Sequence, residues 1–133
     1  MIRIAKKSDD SLIKEIHRQN QKELGNFNLF YVWDKYCQKK AKYKYLICDD
    51  CSFVRYGFSK TYNCNVVYEI GILETSKGKG YGLKLMNAIE RPIILKCNLD
   101  NVSGNKFYEK IGMKKLGVVK SKNGKRLLNL WSY

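Results

Sequence analysis

The chain switches between two hydrophobic periods, and the switches lay out its elements. Residues 1–5 alternate over a short run, the pattern of an opening strand. Ser8, Asp9 and Asp10 then supply N-cap chemistry and negative charge where a helix dipole favours it. Leu12, Ile13 and Ile16 follow at helical spacing, predicting a helix that fades in the polar stretch 19–25. His17 lies on or beside the apolar stripe and reads as a partly buried helix residue. The stretch 27–37 packs Phe27, Phe30, Tyr31, Trp33 and Tyr36 close together. A second short helix and a loop with aromatic plugs fit it equally, as do a core and one wall of a substrate groove.

From Tyr43 the character turns to strand. Three β-rich runs, 43–49, 52–63 and 65–73, are joined by Asp- and Asn-bearing breaks, which predicts an antiparallel meander. Gly57 inside the second run marks a bulge or a tight approach. The third run, apolar from Val66 to Leu73, breaks into a loop with glycines at alternate positions, Gly78, Gly80 and Gly82. A helical pattern begins at Leu83, continues through Leu85, Met86 and Ile89, and is stopped by Pro92. A strand of the buried type spans 92–98. A helix over 100–111 has Asp100 or Asn101 near its N-cap and Gly112 as its C′ residue. Strands over 113–119 and 125–133 are joined by an Asn-Gly turn.

Strand, glycine loop and helix start together put bare backbone N–H groups and a positive helix end in one place. Glycine lets such a loop curl and lets a ligand approach. With Lys77, Lys79 and Lys84 adding charge, the segment reads as a phosphate cradle.

Composition bounds the rest. The 133 residues suit one domain, 1–133, and 44% hydrophobic content suits a packed core. No apolar run reaches membrane length, and residues 1–10 lack the apolar centre of a secretion signal, so a cytoplasmic protein with no membrane partner is expected. The five cysteines are odd in number and several sit in apolar patterns, as buried free thiols do. Cys48 and Cys51 form a C-x-x-C pair, but no second pair completes it and His17 is the only histidine, so no metal is expected. The net charge of +14 favours acidic partners: a polyphosphate cofactor, nucleic acid or an anionic protein face. The lysines are spread along the whole chain, so a solvated basic surface fits equally.

The order of elements, with these motifs, resembles the GCN5-related N-acetyltransferase (GNAT) superfamily. The family's Gln/Arg-x-x-Gly-x-Gly/Ala loop is matched by 77–82, Lys-Gly-Lys-Gly-Tyr-Gly. Its Asn, Ala and Tyr-Glu-Lys-x-Gly-Phe motif is matched by Asn101, Gly104 and residues 108–113. The resemblance spans essentially the whole chain. Lys77 keeps the usual charge without the planar fork of Arg, Gly104 replaces Ala, and Met113 replaces Phe.

The resemblance implies an α+β fold of α/β/α layers. Its central sheet has six to seven strands, mixed and mostly antiparallel, splayed between the fourth and fifth, with helices on both faces. It implies acetyl-CoA as co-substrate and transfer of an acetyl group to an amine of a small molecule or protein. Backbone N–H groups around Gly78, Lys79, Gly80, Tyr81, Gly82 and Leu83 would hold the pyrophosphate, with charge from Lys77 and Lys79. A backbone N–H at Ile72 or Leu73 would polarise the thioester carbonyl, and Asn101 would bond the pantetheine arm or nearby backbone. Tyr108 matches the tyrosine that protonates the leaving thiolate; without the motif it reads as a core tyrosine. Glu69 is the carboxylate inside the fourth strand, and alternation puts it opposite Tyr68 and Ile70. It is the candidate base for the amine, or an outward-facing glutamate paired with a lysine. The basic, aromatic stretch 20–45 suits an anionic acceptor better than a polyamine. A nucleic-acid-bound member of the fold and a non-catalytic CoA-binding module are the alternatives. Strand 125–133, read as an exposed edge, suits pairing in a homodimer.

Overall fold

The computed structural model describes residues 1–24 and 29–133, without the side chains of Glu23, Leu29 and Phe30. Phe27 and the closing glycine of the first helical stretch, Gly25, lie outside the described residues. Seven strands form one sheet: β1 Ile2–Ile4, β2 Lys44–Cys48, β3 Ser52–Ser59, β4 Cys64–Ile72, β5 Ile93–Asn98, β6 Lys114–Lys120 and β7 Leu127–Ser132. The helices are α1 Asp10–Gln19, α2 Gln21–Leu24, α3 Leu29–Cys37, α4 Tyr81–Asn87 and α5 Val102–Lys110. The aromatic stretch is thus a helix over its described part. None of the described helices is long and apolar enough to cross a membrane.

Strand order is β1-β2-β3-β4-β5-β7-β6. Strands β2, β3 and β4 form the antiparallel meander that the Asp and Asn breaks predict, and β1 adds antiparallel to β2. Parallel pairing of β4 with β5 covers only Asn65, Val66 and Val67 against Ile93, Ile94 and Leu95. Beyond Val67 the two strands part, while β5 stays paired with β7 as far as Asn98. This is the splay between the fourth and fifth strands.

The sheet is buried on both faces. Under α4 and α5, Val54, Val67, Leu85, Met86, Leu95 and Trp131 form one core; under α1 and α3, Ile13, Ile16, Trp33, Tyr45, Ile47 and Phe53 form the other. Alternation within β2 feeds both, Tyr45 and Ile47 one way, Leu46 and Cys48 the other. At the start of α1, Asp9 sits at the N-cap position without capping. Its carboxylate instead takes Arg3 through bonds of 2.8 and 2.7 Å and the Lys6 N–H at 2.7 Å, tying β1 to the helix entry. All five thiols are free, with Cys48, Cys51, Cys64 and Cys97 buried.

One alternative is resolved and two expectations change. Gly57 is not a bulge but a close approach: a Cβ there would lie 3.3 Å from the Tyr43 backbone. The bulge falls on β4 opposite the Arg55–Tyr56 step, where Arg55 pairs Glu69 and Tyr56 pairs Val67, leaving Tyr68 as the extra residue. The helix after the glycine loop begins at Tyr81 rather than Leu83, with Gly80 as its N-cap at φ +89°, and Gly82 in its first turn packs closely on α5, where a Cβ would stand 2.7 Å from Phe107 Cζ. Finally, the C-terminal strand is not an edge. β7 inserts between β5 and β6, so β6 carries the free edge.

Candidate active site

The parting of β4 from β5 opens a cleft of about 800 Å³. One wall is β4 from Val67 to Ile72, the other is β5 with α5, and the glycine loop closes one end. Its size lies within the range of small-molecule sites.

Backbone geometry decides which groups face it. The Leu73 N–H donates to the Cys51 carbonyl at 2.8 Å, so it is committed across the sheet and cannot serve a ligand. In an antiparallel ladder the next residue back points its N–H the other way. Ile72 therefore directs its N–H into the cleft, and its carbonyl accepts from Asn20 Nδ2 at 2.9 Å on that side. Of the two backbone donors named from the sequence, Ile72 is the free one.

In the loop, Gly78 has φ +77° and Gly80 φ +89°, a conformation that glycine adopts without strain. Gly80 starts α4 without a side-chain cap. The first backbone bond of the helix runs from the Lys84 N–H to the Gly80 carbonyl at 3.1 Å, which leaves the N–H groups of Tyr81, Gly82 and Leu83 without helical partners. Lys77, Gly78, Gly80, Tyr81, Gly82 and Leu83 line the cleft; Lys79 does not. Lys77 Nζ lies 2.9 Å from Glu74 Oε2 at the rim.

Across the cleft, Asn101 caps α5, its Oδ1 accepting from the Gly104 N–H at 2.9 Å. Gly104 fits there because a Cβ would stand 2.5 Å from Asn101 Nδ2. One helical turn along, Asn105 does what the sequence reading did not foresee. Its amide donates to the Asn98 and Asn101 carbonyls at 2.9 Å each, while its Oδ1 accepts from Asn129 and Trp131 at 3.0 and 2.9 Å. It fastens α5 to β5 and β7. A readable signal was its position, three residues before Tyr108 and so on the same side of the helix. Tyr108 lines the cleft at 8% exposure, its ring against Phe107 and Trp131. Burial, and then the neighbouring Cys97, push its pKa above the ordinary tyrosine value. Burial pushes the Cys97 thiol up to about 11, against the pull of a bond with Asn101.

Glu69 sits on the α1 face, not paired with a lysine. The bulge cancels the expected alternation, so Tyr68 and Glu69 both turn to the same arginine. Arg55 Nε lies 3.1 Å from Glu69 Oε2, and the Arg55 guanidinium stands 4.9 Å from the Tyr68 ring centre and 4.8 Å from that of Tyr43. His17 Nε2 lies 3.4 Å from Glu69 Oε1, out of line for a hydrogen bond, with its ring stacked on Phe53. At 3% exposure, His17 is fully buried. Burial alone would raise the Glu69 pKa; contacts with His17 and Arg55 outweigh it and hold the carboxyl below the usual glutamate range. Arg55, His17, Asn20 and Asn105 are the residues around the cleft that the sequence left without a role there.

No protein-family profile matches the chain, and no curated protein matches its sequence. Solved structures do match its fold. A protein from Desulfovibrio desulfuricans assigned to the GNAT acetyltransferases superposes with a TM-score of 0.84 at 14% identity, over 100% of this chain and 97% of the other. A GNAT acetyltransferase from Bacillus cereus gives 0.76 at 16% identity, over 100% and 95%. The yncA protein of Salmonella typhimurium, assigned as an acetyltransferase and solved with its cofactor acetyl-CoA, gives 0.71 at 17%, over 100% and 92%. The fold is that of the GNAT acetyltransferases.

Proposed function

We propose that this protein is an acetyl-CoA-dependent N-acetyltransferase that moves the acetyl group to a primary amine by direct attack on the thioester. The observation that carries the reading is the cleft itself. One strand edge is left unpaired from Tyr68 onward, a loop of free N–H groups closes one end, and a buried tyrosine lines the facing wall.

In this reading the N–H groups of Tyr81, Gly82 and Leu83 hold the pyrophosphate, and Lys77 exchanges Glu74 for it. The Ile72 N–H bonds the thioester carbonyl and stabilises the oxyanion that forms as the amine attacks. Tyr108, kept protonated by burial, donates its proton to the departing thiolate. Glu69, ionised at neutral pH, draws the acceptor's ammonium group towards the cleft and takes its proton through water. Asn20 and Asn105 position the walls: Asn20 pins the Ile72 carbonyl, and Asn105 fixes the helix that carries Tyr108.

Calorimetric titration with acetyl-CoA, with desulfo-CoA and free pyrophosphate as controls, tests the cradle. Micromolar binding of acetyl-CoA supports it and opens an acceptor screen by thiol release. Absence of binding to all of them overturns the reading, since the loop would then be only a strand-to-helix turn. Tight binding without thiol release on any amine would point to a non-catalytic CoA-binding module.

A further inference from the structure

We infer that the free edge of β6, with the basic hairpin it belongs to, is a docking strand for an acidic, extended segment of another protein. The inference does not depend on the chemistry of the cleft. β6 is the last strand of the sheet and, among the described residues, pairs only with β7, so its outer backbone groups have no ladder partner there. After a shift between Lys115 and Gly117 the register runs regularly from Gly117 to Lys120. Leu116 and Val118, at 51% and 49% exposure, and Leu127 of β7, at 48%, leave apolar surface along this edge.

Charge at this end of the molecule is one-sided. Residues 110–133 contain no Asp or Glu. Lys114, Lys115, Lys120, Lys122, Lys125 and Arg126 are all exposed, and none makes an ion pair among the described residues. The sequence spreads lysines along the whole chain, but the fold gathers an uncompensated set on one hairpin. Lysines alone would be an ordinary guard against edge pairing. The half-exposed Leu116 and Val118 beside them give a partner strand something to cover, and the lysines fix the sign of its charge.

Two other occupants fit less well. A second copy of the chain, paired through β6, would set lysine against lysine across the new ladder. Nucleic acid would lay phosphates over leucine and valine, and the hairpin offers no free ring for a base. Trp131 is buried, and Tyr133 lies under Arg91 at 3.5 Å.

The test uses the full chain and a fluorescein-labelled peptide of alternating glutamate and valine. A control peptide carries proline in place of valine, which keeps the charge and forbids the strand. Anisotropy should show binding of the first peptide only, weakening as salt rises, with slowed amide exchange confined to β6. Leu116→Ser with Val118→Ser keeps the charge and should weaken binding about tenfold or more. Lys120→Glu with Lys122→Glu should do the same with the apolar residues intact. Equal binding of both peptides, or none of either, overturns the inference. So does tighter binding of a single- or double-stranded oligonucleotide, or a dimer whose formation alone protects β6. Acetyl-CoA titration of the same variants should be unchanged, which separates this surface from the cleft.

Discussion

Gly71 lies on β4 facing α1, and replacing it with alanine puts the packing of the candidate site to a direct test. A Cβ there would stand 2.7 Å from Ile16 Cγ2, 3.0 Å from Phe53 Cε1 and 3.3 Å from Leu24 Cδ1. Carbon pairs rest near 3.5–4.0 Å. Ile16 and Phe53 are fully buried, so neither can swing aside. The strand or α1 must shift, and such overpacking costs about 1–3 kcal/mol. Loss of glycine's freedom in the unfolded chain offsets about 0.4–1 kcal/mol. The net destabilisation is about 1–2 kcal/mol. With an unfolding entropy of about 2.1 cal/mol/K per residue over 133 residues, 1.5 kcal/mol corresponds to roughly 5 °C in Tm. Thermal and urea melts followed by circular dichroism measure it. Ile16→Ala removes the clashing Cγ2 and by itself costs about 2–5 kcal/mol. In the double variant the new methyl enters the vacated space, so the two losses should fall short of their sum by about 1 kcal/mol. A Gly71→Ala protein that melts at or above the parent temperature, or losses that add fully, would refute the packing argument.

Tyr108→Phe should lower kcat about a hundredfold or more while acetyl-CoA affinity stays the same; an unchanged rate removes Tyr108 as the acid. Because burial raises its pKa, Tyr108 should give no alkaline limb in the parent pH–rate profile below about pH 10. Glu69 is held below the usual glutamate range and is ionised across neutral pH, so Glu69→Gln should depress kcat most on the acid side, where the acceptor is an ammonium that needs a base, and an unchanged pH profile would remove Glu69 as the base. Arg55→Gln removes one of the contacts that offset burial, so the Glu69 pKa should rise and an acid limb in kcat should move up in pH; a profile that falls in height without moving would show that Arg55 acts only in packing. Asp9 has its pKa lowered from 3.8 by Arg3, so its stabilisation is full above 3.8 and is lost as pH falls through the lower folded value. Asp9→Asn should therefore cost about 1–2 kcal/mol in urea melts at neutral pH, and the cost should shrink as pH falls through that lowered value.

What the sequence disclosed and what it concealed divide along a physical line. The glycine loop was readable because its demand is local: positive φ at Gly78 and Gly80 selects glycine whatever the rest of the chain does. Asn101 was readable as a cap because cap and helix start lie within one short segment, whereas Tyr108 read locally as a core tyrosine and drew its proposed role from the family motif alone. The meander of β2, β3 and β4 was readable from the Asp- and Asn-bearing breaks between them. The surroundings of Glu69 were not, since its partners come from other elements. Arg55 belongs to β3 and His17 to α1, and both reach the carboxylate only once β3 and β4 have paired and α1 has packed on them. The bulge at Tyr68 is of the same kind. Nothing in the residues around Val67 requires an extra residue there, yet the bulge turns two consecutive side chains to one face and puts the alternation rule in error at the residue where it mattered. The edge strand was misplaced for a related reason, because a strand that inserts between two others leaves no local mark. The chain thus carries its free backbone donors in local sequence and the surroundings of its buried carboxylate in tertiary pairing. It follows that a chain can keep the loop and the tyrosine motif and still differ in what it does to an amine. The discriminating residues to compare are then Arg55, His17 and Tyr68 rather than the glycines.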